Sequence, residues 1–106
     1  MTQDEITLTF LRTAPKVNTQ KSMADEIGYS IGKVNYILKA LVEKGFIKAE
    51  KFISSDKKTK YKYLLTEKGI QEKVSLTKKF IDRKKEEYEE LQKELEKDMT
   101  VMESNN

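Results

Sequence analysis

The sequence predicts an α+β fold, mainly α, from three observations. Its first half contains three short segments with helically spaced apolar residues, each preceded by a Ser or Thr that can cap it. Two segments of alternating residues follow, separated by a turn-rich stretch. From Glu67 to about Met99, one glycine and no proline interrupt a long run of helix-forming residues. The 106 residues are enough for one small core and too few for two.

Capping residues predict the first two helices. Thr2 and Glu5 have the spacing of a capping box, in which each side chain satisfies a backbone N–H group of the other residue. We predict a first helix over residues 3–13 and, after Thr19 as its N-cap, a second helix over residues 20–27. The predicted core residues of the first three helices include Phe10, Leu11, Met23, Ile27 and Leu38.

The third helix has the clearest periodicity of the three. Ser30 can cap it, and Gly45 follows its last apolar residues. Its predicted inward face consists of apolar residues at i, i+3, i+7 and i+10: Ile31, Val34, Leu38 and Leu41. Because only a short turn with Gly28 precedes it, the second and third helices have the pattern of a helix-turn-helix.

The segment after the third helix predicts a hairpin. Residues 46–52 and 61–65 alternate as strands do, and Ser54 to Lys60 between them is turn-rich and basic. A helix-turn-helix followed directly by a hairpin is a winged helix, so residues 1–66 are predicted to form a winged helix-turn-helix domain with Ser54 to Lys60 as its wing. Tyr61 and Tyr63 share one face of a strand, and we expect both to pack between wing and core.

Residues 67–106 are predicted to form a long helix that acts as a dimerisation arm, with a frayed tail from Met102 onward. Its apolar residues follow an imperfect heptad pattern, which predicts a coiled-coil-like seam. We expect the broader face, with Ile70, Val74, Leu76, Phe80 and Ile81, to pack on the winged domain as well. The predicted dimerisation residues are Ile70, Val74, Thr77, Ile81, Tyr88, Leu91 and Leu95.

Composition excludes most catalytic chemistry. The chain has no cysteine and no histidine, which removes thiol nucleophiles, imidazole bases and the usual zinc or haem ligands. The acidic run over residues 86–90 is predicted to be a solvated helix surface, because its side chains point in different directions. We therefore expect no enzyme activity, no cofactor and no metal. No apolar stretch is long enough to span a membrane, and we expect a cytoplasmic protein.

Positive charge is concentrated in residues 30–62. This stretch has nine lysines against Glu43, Glu50 and Asp56, whereas the whole chain has a net charge of only +3. A basic stretch of this density is typical of a surface that binds a polyanion.

The segments Ser30 to Lys48 (SIGKVNYILKALVEKGFIK) and Tyr63 to Ile70 (YLLTEKGI) resemble MarR-type winged-helix transcriptional regulators. The resemblance is strongest to the short subgroup associated with bacterial exopolysaccharide gene clusters. It implies a bacterial, dimeric, sequence-specific DNA-binding protein. Longer MarR proteins carry extra N-terminal helical sequence that helps to form the dimer and an effector pocket. Here the first helix begins almost at Met1, so we expect dimerisation mainly through the C-terminal helix and leave a small-molecule effector open.

The candidate DNA-binding residues form three groups. The alternative for the third helix and the wing is ordinary solvated surface, and the alternative for the start of the second helix is that Thr19 only caps it. The outward face of the third helix is expected to enter the major groove, with Ala40 and Glu43 also outward. Wing lysines are expected to contact phosphates, and the start of the second helix offers free backbone N–H groups to a phosphate. The candidate residues are Thr19, Gln20, Lys21, Ser30, Gly32, Lys33, Asn35, Tyr36, Lys39, Lys57, Lys58, Lys60 and Lys62.

These observations predict a double-stranded DNA-binding transcriptional regulator that acts as a homodimer on a roughly palindromic operator. The alternative is a winged-helix module that binds another protein and no DNA. The sequence leaves open the operator sequence, the choice between repression and activation, and whether paired C-terminal helices run parallel or antiparallel.

Overall fold

The computed structural model describes residues 1–105 and confirms the α+β, mainly α, fold. Three short helices are followed by a two-stranded antiparallel hairpin and one long helix. In chain order the elements are α1 (Gln3–Thr13), α2 (Gln20–Ile27), α3 (Ile31–Glu43), β1 (Ile47–Ile53), β2 (Thr59–Leu65) and α4 (Glu67–Ser104).

The predicted caps are present at the first three helices. Thr2 accepts a hydrogen bond from the Glu5 N–H at 3.1 Å, and the Glu5 carboxylate accepts one from the Thr2 N–H at 3.0 Å, which completes the capping box. Thr19 and Ser30 likewise accept backbone hydrogen bonds at the starts of α2 and α3. Gly28 ends α2 with a positive φ of 83°, a conformation that glycine adopts without strain. The tight α2–α3 turn therefore follows from local sequence.

The core lies between α1, α2, α3 and the start of β1. Its largest fully buried side chains are Phe10, Leu11, Met23, Val34, Leu38, Leu41 and Ile47. Ile27 packs against this core but is only partly buried. The prediction that Ile31 faces inward is wrong, since this side chain is 54% exposed. Ile31 is the first residue of α3, directly after the turn, and the inward face begins with Val34 and includes the partly buried Ile37.

The hairpin pairs β1 and β2 from Ile47 opposite Leu65 to Ile53 opposite Thr59. Its loop is shorter than the predicted wing of residues 54–60, because Thr59 and Lys60 already pair within β2. The Tyr63 N–H donates to the Asn18 carbonyl at 2.8 Å, which joins the hairpin to the loop before α2.

The start of α4 is fixed against the turn between α3 and β1. Thr66 caps α4 by accepting from the Gly69 N–H at 3.0 Å, and its hydroxyl donates to the Gly45 carbonyl at 2.5 Å. A Cβ placed on Gly69 would lie 2.0 Å from the Phe46 carbonyl oxygen. The helix backbone therefore approaches this turn so closely that only glycine fits without a shift.

The chain divides into two compact units, Met1–Leu76 and the residues from Thr77 onward. This division lies ten residues beyond the sequence-predicted boundary after residue 66, since the first turns of α4, with buried Gly69 and Leu76, belong to the first unit. Two expectations for α4 are wrong. The helix continues to Ser104, so residues 102–104 are helical where a frayed tail was expected, while Asn106 lies outside the described residues.

The other incorrect expectation concerns the apolar face at the start of α4. Ile70 and Val74 are about half exposed instead of packed on the winged domain, and Ile81 is equally exposed. Only Leu76 is fully buried there, and Phe80 is partly buried. Of these residues, Leu76 belongs to the buried core of the first unit. Within residues 1–105, no helix is both long and apolar enough to cross a membrane.

Candidate nucleic-acid interface

One side of α3 is open to solvent. Tyr36 lies on it with 77% of its surface exposed, and Ala40 is partly buried. A Cβ on Gly32 would meet no atom within 4 Å, so another molecule can approach the helix backbone there. The sequence-predicted outward residues that are exposed are Gly32, Lys33, Tyr36, Lys39 and Glu43. This surface combines two exposed lysines with an exposed aromatic ring.

Lys33 is held at the start of α3 by an aromatic ring. Its ammonium nitrogen lies 3.9 Å from the centroid of the Tyr29 ring, a cation–π contact. The Tyr29 ring in turn packs against Phe10, with 6.4 Å between ring centroids. Ser30, also a candidate residue, uses its hydroxyl to accept from the Lys33 N–H at 3.2 Å. Tyr29 was not among the predicted site residues, although its place next to the cap is visible in the sequence.

A groove of about 1080 Å³ separates α3 from the hairpin. Residues at the start of α2 also line it, and the lining includes both residues that the sequence predicted and residues that it did not. The predicted ones are Thr19, Gln20, Lys21, Asn35, Lys39 and Lys60. The unpredicted ones include Ser22, Val42, Ala49, Tyr61 and Tyr63. The structure therefore brings candidates from all three predicted groups to one concave surface.

The two tyrosines of β2 differ from each other. Tyr63 is buried at 8% exposure, as expected for packing between wing and core, whereas Tyr61 is 44% exposed and does not fit that expectation. Both line the groove, because residues two apart on a strand share a face. This shared face was the sequence signal for their presence at the site.

Three side chains in the groove form a hydrogen-bonded chain. The Gln20 Nε2 atom donates to the Asn35 Oδ1 atom at 2.6 Å and to the Tyr63 hydroxyl oxygen at 3.2 Å. Asn35 and Gln20 are partly buried, and Tyr63 is buried. The chain connects α2, α3 and β2 through residues that are far apart in the sequence.

Thr19 and Lys21 flank Gln20 at the start of α2. The Thr19 hydroxyl accepts from the Ser22 N–H at 3.2 Å and donates to the Ser22 hydroxyl at 2.8 Å, so it is occupied by capping. Lys21 is exposed. Of the two, Lys21 therefore has the group that is available to a phosphate.

The wing loop is ordered by its own polar groups. The Lys57 N–H donates to the Ser54 carbonyl at 2.8 Å, and Lys57 has a positive φ of 62°. The Ser54 hydroxyl donates to the Asp56 carboxylate. This hydrogen bond is the main reason why the pKa of Asp56 lies below its usual value, with further contributions from the Lys58 backbone and the charge of Lys60. The loop thus presents Lys57 and Lys58 to solvent around an ionised carboxylate.

The last two candidate lysines lie on β2. Lys60 borders the groove beside Tyr61. The Lys62 ammonium lies 5.4 Å from the centroid of the Phe52 ring, and Lys62 does not line the groove. The four wing lysines therefore do not converge on one point.

The predicted dimerisation residues lie on one row of α4. Ile70, Val74, Ile81 and Leu95 are all about half exposed or more, Tyr88 and Leu91 are 62% and 63% exposed, and Thr77 is exposed. Neighbouring residues of this row are four or three positions apart, as in a coiled-coil seam, except for the seven positions between Ile81 and Tyr88. In a single copy of the chain, the large apolar side chains of this row are exposed to water.

Residues 1–105 contain no group of three or more His, Cys, Asp or Glu side chains that could hold a metal ion. The side chains described above offer hydrogen bonding, ionic attraction and aromatic packing.

Comparison with protein families supports the same fold. Residues 8–48 match a family model described as winged helix-turn-helix DNA-binding. This match covers α2, α3 and most of α1. Together with the hairpin, it defines a winged helix-turn-helix domain. No curated protein sequence matches the chain.

Solved structures with the same fold extend over more of the chain. PA1374 of Pseudomonas aeruginosa is 21% identical with a TM-score of 0.62 over 70% of this chain, which spans half the length of PA1374. MepR, a transcription regulator of the Staphylococcus aureus multidrug efflux pump MepA, is 20% identical with a TM-score of 0.61 over 96% of this chain and 80% of its own. A MepR–DNA complex gives a TM-score of 0.60 at 20% identity, over 96% of this chain and 78% of its own. At these identities the similarity establishes the fold.

Proposed function

We propose that this protein is a sequence-specific transcriptional regulator of the MarR type that binds double-stranded DNA as a homodimer. The observation that carries the proposal is the exposed, lysine-bearing face of α3 next to a groove that ends at the hairpin. The match to a winged helix-turn-helix DNA-binding model and the similarity to MepR, which has been solved with DNA, support it. The motifs in residues 30–48 and 63–70 support the MarR type and its exopolysaccharide-associated subgroup.

In this proposal α3 enters the major groove. Lys33, Asn35 and Tyr36 would contact base edges, and the open backbone at Gly32 would let the helix approach them closely. Lys21, Lys57 and Lys58 would contact phosphates on either side. Phosphate contacts supply affinity that depends on salt, and base contacts supply specificity.

The homodimer is proposed from the apolar row of α4. Full burial of a large apolar side chain contributes roughly 1.5 to 3 kcal/mol, so pairing Tyr88, Leu91 and Leu95 with a second copy would offset the cost of association. Two copies related by a twofold axis would place two α3 helices on half-sites separated by one DNA turn or a multiple of it. The operator is accordingly proposed to be a rough palindrome.

The test is selection of bound sequences from a random DNA pool, followed by mobility shifts with the full chain on the selected site at several salt concentrations. We expect a selected site with twofold symmetry and an affinity that falls steeply as salt rises. A chain that shifts no duplex at any salt would refute the proposal. That result would instead favour a protein-binding module.

A further inference from the structure

We infer that Tyr63 is a positioning residue for DNA specificity, because through Gln20 it determines which hydrogen-bonding group Asn35 presents to a base edge. The inference rests on the proposed function and makes it more specific. It assigns a role to a wing residue that would not itself contact a base.

The hydrogen-bonded chain of Gln20, Asn35 and Tyr63 is anchored at the Tyr63 end. The Tyr63 ring is buried, and its backbone N–H donates to the Asn18 carbonyl at 2.8 Å. Its hydroxyl oxygen therefore has a fixed place in the groove, 3.2 Å from the Gln20 Nε2 atom. Gln20 is the first residue of α2, so its backbone is fixed by the helix. Tyr63 is thus the buried end of this hydrogen bond, and α2 fixes the backbone at the other end.

The number of hydrogens on an amide decides which groups donate and which accept among Gln20, Asn35 and Tyr63. The Gln20 NH₂ group has two hydrogens, and its two acceptors are Asn35 Oδ1 and the Tyr63 hydroxyl oxygen. Gln20 is left with its Oε1 atom as an acceptor. The hydrogen bond from Gln20 uses one of the two lone pairs of the Asn35 Oδ1 atom, whereas the Asn35 NH₂ group keeps both of its hydrogens for a ligand.

This polarity has a consequence for base recognition. An asparagine that binds adenine with two hydrogen bonds uses its oxygen for the adenine amino group and its NH₂ group for N7. Because Gln20 uses one lone pair of the Asn35 oxygen, Asn35 has two NH₂ hydrogens to donate and one lone pair left to accept, and guanine is the base with two major-groove acceptors, O6 and N7. We expect guanine at the base position that Asn35 reads.

Gln20→Glu tests the polarity directly. A glutamate carboxylate can only accept, so Asn35 would have to turn its NH₂ group towards residue 20 and expose Oδ1 instead. The preferred base at that position should change from guanine to one with an amino group, adenine or cytosine. The added negative charge will weaken binding to every duplex, so the readout is the ratio between bases.

Tyr63→Phe tests the anchor. It removes one hydrogen-bond partner of Gln20 and keeps the buried ring, so we expect the guanine preference at the Asn35 position to fall by about two- to tenfold. Affinity for random duplex and its salt slope should not change, because no phosphate contact is lost. The matched control is Tyr61→Phe, on the same strand and face, whose hydroxyl makes no hydrogen bond in the described structure.

The experiment selects from a random DNA pool with wild type, Asn35→Ala, Gln20→Glu, Tyr63→Phe and Tyr61→Phe, after thermal unfolding has shown that each variant folds. Asn35→Ala identifies the position that Asn35 reads. The inference is overturned if Asn35→Ala alters no position, if wild type prefers adenine or cytosine there, or if Tyr63→Phe keeps the wild-type preference. Those outcomes leave DNA binding intact, whereas a wild type that binds no duplex defeats the proposed function itself.

Discussion

The two compact units of this chain differ in what they do with apolar side chains. In Met1–Leu76, seven large apolar side chains are fully buried, and polar groups of the helix starts, turns and groove are paired with one another. From Thr77 onward, the apolar residues of α4 are exposed by about half or more, apart from the partly buried Phe80. The first unit thus has a core of its own. The second is a helix whose apolar side chains are exposed to water in a single copy of the chain.

The largest effect is expected where the second unit is altered. Leu91→Glu puts a charge into the apolar row, so we expect the protein to become monomeric and palindrome affinity to fall by roughly 100-fold or more, because the two half-sites are no longer linked. Sedimentation and mobility shifts on palindrome and half-site duplexes measure this. Half-site affinity should change little. Thr100→Glu adds the same charge on the opposite side of α4 and is the matched control. A Leu91→Glu protein that stays dimeric would place the interface elsewhere, most simply on α1 and the row from Ile70 to Ile81.

Within the first unit, a sensitive point is the close approach at Gly69. Gly69→Ala puts a methyl group where the Phe46 carbonyl lies, and the shift that follows should cost about 1 to 3 kcal/mol of unfolding free energy. The melting temperature is expected to fall by about 5 to 15 °C in calorimetry.

Gly32→Ala is the matched control for this substitution. A Cβ at Gly32 meets nothing, and alanine favours a helix over glycine by about 1 kcal/mol, so this variant should be slightly more stable than wild type. Equal melting temperatures for the two variants would show that α4 can move away from the turn at little cost.

A smaller effect is expected from the exposed face of α3. Lys33→Ala or Tyr36→Ala should lower affinity for the selected site by about tenfold and leave affinity for random duplex nearly unchanged, because base contacts specify and phosphate contacts mainly position. Competition mobility shifts with both duplexes give the ratio. Parallel losses on the two duplexes would remove these residues from the base-reading face.

The sequence predicted local features well because they depend on neighbouring residues. The bounds of α1 and α2 follow from caps at Thr2 and Thr19, and the structure reproduces them. The inward position of Ile31 was predicted wrongly because helical periodicity does not show how far along a helix its packing partner extends. The hydrogen-bonded chain in the groove was not predicted as such. Gln20 is fifteen residues from Asn35 and forty-three from Tyr63, and only tertiary packing brings them together.

The smallest effect is expected at the wing loop. Lys57 and Lys58 are exposed, and their loop is ordered by hydrogen bonds from the Ser54 hydroxyl and backbone, which neither lysine side chain makes. Replacing both with alanine should therefore leave the fold intact. The slope of the logarithm of the binding constant against the logarithm of salt concentration should become less steep by about two, near 0.9 for each lost phosphate contact. Specific and random duplex should lose affinity to a similar degree, because a phosphate carries no sequence information.

The measurement for the wing is affinity against salt concentration for wild type and the double variant on both duplexes. Lys62→Ala is an informative control, since its ammonium lies against the Phe52 ring outside the groove, and we expect a smaller change in slope there. An unchanged slope in the Lys57 and Lys58 double variant would mean that the wing loop does not reach the DNA. The salt-dependent contacts would then come from Lys21, Lys39 and Lys60, which line the groove.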